Sequence, residues 1–171
     1  MSTNEQIKHM VAHVIYEFKE FRKSIDTLPQ LNQSDPNWNP TLESFLLHFR
    51  ILRAFFFAEG NHGDDLFARH YVGSERWNPN KQEVFCKTKD EIDKRLAHLT
   101  LRRLTPWDWE EDKMAQAIEG LIAEFKNSLR GPQANWFSEL QVRTVPPAAV
   151  TGNRATGEFC CRLEMNRFSE N

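Results

Sequence analysis

What the chain lacks narrows its class before any motif is read. Cysteine is nearly absent: Cys86 stands alone and Cys160 and Cys161 are adjacent, which gives neither a disulfide framework nor the paired spacing of a structural zinc site. A reducing, cytoplasmic setting is the expectation. No uninterrupted apolar run reaches the roughly 18 residues of a membrane span, and the greasiest stretch is broken by Arg50 and Arg53. The opening residues, MSTNEQIKHM, are polar where a signal peptide is apolar, so neither export nor membrane insertion is expected. An excess of one charge is missing too. The 22 Lys and Arg oppose 24 Asp and Glu, a net of −2, so no overall basic field draws the chain to nucleic acid or acidic lipid. A glycine-rich phosphate loop, GxSxG, HExxH and CxxC are all absent, and with them the usual signatures of nucleotide, serine-hydrolase, zinc-protease and thiol-redox chemistry. No cofactor is expected.

What is present is helical periodicity on a chain of 171 residues, long enough for one self-sufficient core. From Glu5 to Asp26, Ile7, Met10, Val11, Val14, Ile15, Phe18, Phe21 and Ile25 recur at three-four spacing, the mark of one buried helical stripe. Thr27 to Trp38 is rich in turn formers and reads as a loop. Asn39 to Gly60 is the most apolar helix-length run, with Asn39 as cap, Pro40 in the first turn and Gly60 as stop. Its Phe45, Leu46, Phe49, Ile51, Leu52, Phe55 and Phe56 leave hardly any side for water at about 100° per residue. A long irregular crossover follows, holding one short helix over Asp64 to Tyr71. Thr88-Lys89-Asp90-Glu91 has capping-box spacing and opens a helix to about Leu104. Thr105-Pro106 starts the next, whose stripe runs from Trp109 to Leu129 and ends at Gly131-Pro132. Trp136 and Phe137 form a last short helix or cap the bundle end. The reading is all-α: an antiparallel four-helix bundle with a long crossover loop, one domain over residues 1–140, and over 141–171 an irregular C-terminal tail or an arm with Phe159 and Leu163 as anchors, the arm being favoured.

Charges inside so apolar a helix need partners. Helical geometry puts Glu43 and Arg50 on one face, two turns apart, with Arg53 nearby, and turns His48 to the other side. Glu43 with Arg50 or Arg103 would make a buried ion pair locking two helices in register. His98, flanked by Arg95, Arg102 and Arg103, is the alternative: imidazole moves a proton to or from a ribose hydroxyl and arginine holds the charge developing on phosphate. His62, Asp64, Asp65 and His70 combine two imidazoles and two carboxylates in a loop, a donor set suited to a divalent metal. The simpler role for Asp64 or Asp65 is to cap the short helix. Phe55-Phe56-Phe57 and the Trp107-x-Trp109 pair are core aromatics by default and pocket walls otherwise.

The segments ESFLLHFRILRAFFF and DDLFARHYV, followed by LAHLTLRRL and then Trp, resemble a group of small uncharacterised bacterial all-helical proteins that carry HxR on one helix and AHLTxxR on a later one. The resemblance covers roughly residues 41 to 110 and its motifs form a family signature. It implies no activity, and it marks Glu43, His48, Arg50, Asp64, Asp65, His98 and Arg103 as the matching positions. Helical bundles of the HEPN type cleave RNA without metal, using Arg followed about four to six residues later by His. Here Arg95 and His98 are separated by only two residues, and His98 precedes Arg103. The expectation is therefore a non-catalytic binding or interaction module, with a homodimer or a protein partner. A HEPN-like ribonuclease or toxin component using His98 and nearby arginines, with His48 and Arg50 as further candidates, is the alternative. Nucleic acid is a partner only in that second case.

Overall fold

A computed structural model describes residues 4–59, 64–97, 101, 105 and 107–143. The fold is all-α, and no strand occurs among the described residues. Helix α1 (Asn4–His9) and helix α2 (Val11–Thr27) replace the single expected helix. Met10 keeps helical backbone between them, and its neighbours' hydrogen bonds, Met10 N–H to Gln6 O and Val14 N–H to Met10 O, carry the ladder across. Val11, Val14, Phe18 and Phe21 are buried as the stripe predicts, but Met10 faces water.

Helix α3 (Trp38–Phe57) begins one residue before the expected cap, because Trp38 is itself buried in the core. Asn37, held by Asp35 Oδ1, precedes the helix instead of Asn39. The helix ends at Ala58, whose left-handed backbone (φ 54°) turns the chain two residues ahead of the glycine expected to stop it. A left-handed alanine costs about 1 kcal/mol. Gly60 lies outside the described residues. α3 is not buried all round: Leu47 and Ile51 are exposed.

Helix α4 (Arg69–Val72) is shorter and later than expected, so Asp64 and Asp65 do not cap it. Helix α5 (Glu83–Ile92) starts five residues before Thr88 and passes into a π-helical turn, Asp93–Ala97. Thr88 is no cap: it is buried mid-helix and its hydroxyl donates to Val84 O at 2.7 Å. The fully buried Phe85 explains the earlier start, since its packing on Phe49 and Phe57 outweighs a local capping signal. Helix α6 (Glu111–Ser128) starts later than Pro106 would have it, behind Glu110 in left-handed conformation (φ 47°) and the buried Trp109. Gly131-Pro132 does not merely end α6; it opens helix α7 (Gly131–Trp136), after which Phe137 and Leu140 turn into the core.

Side-chain pairs fix how the helices run. Ser24 meets Ser44, Phe21 stacks on Phe45, Glu17 bonds His48 and Phe18 reaches Phe55, so α2 and α3 are antiparallel. Arg22 with Glu119 and Phe18 with Phe125 set α6 antiparallel to α2. Phe85 meets both Phe49 and Phe57, and Arg50 pairs with Asp93, so α5 and the π-turn pack against the middle and end of α3. The core converges on Phe125, fully buried and in ring contact with Phe18, Phe55, Phe56, Tyr71, Trp77 and Phe137. Edge-to-face contacts dominate around it, the arrangement the ring quadrupole favours. At the end of the described residues, Gln141 O accepts from Arg22 and Arg143 pairs with Asp26. Phe159 and Leu163 lie outside the described residues.

Candidate functional site

The polar residues of α3 find partners other than those expected. Glu43 is exposed and takes no part in a buried pair. Arg50, 43% exposed, pairs with Asp93 at 2.9 Å on the π-turn, so its carboxylate comes from beyond the crossover and not from Glu43. Arg103 lies outside the described residues. The deeply buried arginine is Arg53, 3% exposed. Its Nε lies 3.1 Å from Glu59 Oε2, an ion contact without hydrogen-bond alignment, so Nε and Nη1 remain buried and unbonded. Burial pushes the Arg53 guanidinium below its ordinary pKa against the pull of Glu59 and Asp93. Burial also pushes Glu59 up, but a hydrogen bond from Lys81 and the charges of Arg53, Lys81 and Lys89 outweigh it and hold the carboxyl below its usual range. This cluster ties the end of α3 to the segment entering α5, a register-fixing arrangement.

His48 is buried and its Nδ1 lies 2.6 Å from Glu17 Oε2, linking α3 to α2, with the Tyr16 ring edge-on at 6.2 Å. Glu17 is therefore the partner that spacing within α3 could not reveal. Arg95 is 4% exposed and is fully engaged: it donates to Glu91 Oε2 at 2.7 Å and to the carbonyl and hydroxyl of Thr105, and lies over the Trp107 ring. Such an arginine clamps the chain after the π-turn onto α5. His98 and Arg102 lie outside the described residues. A bidentate pair the sequence did not suggest, Arg22 with Glu119 at 2.6 Å for both bonds, locks α2 to α6.

Of the metal candidates, His62 lies outside the described residues, Asp64 is exposed and Asp65 half-buried. His70 Nδ1 accepts the Phe67 N–H at 3.1 Å, which fixes the tautomer and occupies that nitrogen. Burial, then the neighbouring Arg69, pushes its pKa down. Among the described residues, no group of three or more His, Cys, Asp and Glu side chains converges as a metal site. No helix among them is long and apolar enough to cross a membrane.

The feature left over is apolar. On α3 the residues turned away from α2 and α5 are Glu43, Leu47, Ile51 and Ala54, which share one side at helical spacing. Leu47 is 44% exposed and Ile51 37%, one turn apart, with Ala54 half-buried beyond them. Across His48, Tyr16 of α2 is 53% exposed and flanks the same strip. Single exposed apolar residues are ordinary; here two large ones, Leu47 and Ile51, stand one turn apart on one helix. No family model, curated protein or solved structure matches the chain.

Proposed function

We propose that this protein is a non-catalytic interaction module, an antiparallel four-helix bundle of α2, α3, α5 and α6 that engages a protein partner or a second copy of itself through the outer face of α3. The observation that carries the reading is the exposed pair Leu47 and Ile51 beside Tyr16 on the most apolar helix of the chain. Supporting it, the half-buried Arg22 and the buried Glu119, Arg95, His48 and Arg53 each join one segment of the fold to another, which is structural rather than catalytic service. Aromatic and aliphatic anchors on a preformed helix bind at low entropic cost. The test is sedimentation equilibrium of the full chain and of Leu47→Glu/Ile51→Glu, together with capture of partners on the immobilised wild type. Self-association or a stoichiometric partner that the double variant loses, with helicity unchanged by circular dichroism, is the expected result. A monomeric wild type that captures nothing the variant does not also capture refutes the reading. Metal-free RNA cleavage abolished by His98→Ala would move the assignment to the ribonuclease alternative.

A further inference from the structure

A second surface feature shares no residue with the α3 face. Between the turn after α4 and the end of α6 lies a hollow of about 600 Å³ walled by Arg76, Ser128 and Arg130. The fold delivers these residues for local reasons. Gly73 adopts φ 100°, a conformation that suits glycine, and its carbonyl accepts the N–H groups of Arg76 and Trp77, closing a tight turn. Trp77 then buries its ring against Phe125 of α6 and gives its indole N–H to Phe56 O at 2.7 Å. Arg76, one residue before this anchor, is thereby held at the last turn of α6.

The two arginines are prepared differently. Arg130 Nη1 donates to Asn127 O at 2.5 Å and Leu129 O at 2.8 Å, so its guanidinium is fixed while Nε and Nη2 retain their donors. It also neutralises the carbonyl end of the helix, which otherwise repels anions. The Arg76 side chain has no hydrogen-bond or ion-pair partner among the described residues. Among the described residues no carboxylate lines the hollow. Two guanidinium groups and a serine lining one space favour an oxyanion between them, and guanidinium forks match phosphate oxygens. The hollow is open to solvent on the side away from these three residues, which leaves room for an organic group beyond a bound phosphoryl group.

We propose that this hollow binds the phosphoryl group of a small phosphate monoester, with Arg76 and Arg130 as the anion clamp and Ser128 as a third donor. The test is titration of the full chain with phenyl phosphate, inorganic phosphate and phenol, followed by 1H–15N chemical shifts, including the arginine side-chain Nε–H signals. Phenyl phosphate should saturate, move the Arg76, Ser128 and Arg130 signals, and weaken as ionic strength rises; phenol should not bind. Arg76→Gln, at an exposed position whose loss leaves the fold intact, should weaken phenyl phosphate at least about tenfold. Arg76→Lys should recover part of that loss, because a lysine keeps the charge without the fork. The proposal is overturned if phenyl phosphate fails to saturate, if Arg76→Gln binds it as wild type does, or if inorganic phosphate binds equally well, which would remove the monoester assignment.

Discussion

The bidentate pair between Arg22 and Glu119 offers the sharpest test of how this fold is held. Glu119 is 3% exposed and its two oxygens each accept one N–H of Arg22, whose Nη2 also donates to Gln141 O at 2.8 Å. Arg22→Met keeps much of the aliphatic stem but leaves the Glu119 carboxylate buried and without its cation. Stranding one member of a buried pair costs about 3–5 kcal/mol, a large share of the roughly 5–15 kcal/mol that stabilises a domain. At about 2–4 °C per kcal/mol for a chain of this size, the midpoint should fall by roughly 6–20 °C. Arg22→Met/Glu119→Leu removes both charges together, and buried pairs replaced by apolar residues are often neutral. The double variant should therefore regain most of the loss, a coupling of about 2–3 kcal/mol in the thermodynamic cycle. Urea unfolding followed by far-ultraviolet circular dichroism measures all four corners. A single variant that loses less than about 1 kcal/mol would put the pair in the class of surface salt bridges and refute the claim that it locks α2 to α6.

Arg50→Ala should cost no more than about 1 kcal/mol, because its pair with Asp93 is 43% exposed on the arginine side and screened by water; a loss of 3 kcal/mol or more in urea unfolding would contradict that. Phe125→Ala should cost about 3–5 kcal/mol, since six aromatic rings lose their shared centre, and the assay is the same. Two carboxylates should respond to pH with opposite sign. Glu59 has its pKa lowered on folding, so it stabilises above the ordinary 4.5 and loses that contribution as pH falls; Glu59→Gln should be less stable than wild type at pH 7, with the gap closing in acid. Glu111 is pushed up by burial first, against its own backbone amide and with Asp108 and Asp112 adding to the rise. Its folded form penalises the charge, so Glu111→Gln should be more stable than wild type at pH 7, with the advantage fading as pH falls toward the ordinary 4.5 and absent below it. Unfolding free energies from pH 3 to 8 check both.

The helical core was legible because period and burial agree where apolar residues are dense. Phe18, Phe21, Phe45, Phe49 and Phe125 fall on the stripes read from spacing, and all are fully buried. Helix ends were less legible, since local capping chemistry competes with packing that the sequence does not display. Thr88 has a cap's spacing and becomes an interior residue once Phe85 is drawn into the core. Ion pairs were least legible. Glu17 lies 31 positions from His48, and Arg22 lies 97 from Glu119, separations that no pattern within one helix can join. Glu59 is only six positions from Arg53, yet it sits past the left-handed Ala58, where helical spacing no longer predicts who faces whom.

The exposed face of α3 is the same problem in reverse. Hydrophobicity predicts that Leu47 and Ile51 gain by leaving water, but not whether another helix of the same chain reaches them. A helix in a bundle has room for neighbours on only part of its circumference. α2 takes the side of Ser44, His48 and Phe55, and α5 takes the side of Phe49, Arg50 and Phe57. The third side of α3 is left with Leu47, Ile51 and Ala54, bordered by the exposed Glu43 and the partly exposed Arg50. About 25 cal/mol per Å² of apolar surface rewards whatever covers that strip, and among the described residues no side chain of the chain does so fully. An interaction surface is the reading under which this composition has a physical use, and Leu47→Glu/Ile51→Glu separates it from a strip that is merely tolerated: the first case loses a partner, the second only gains solubility.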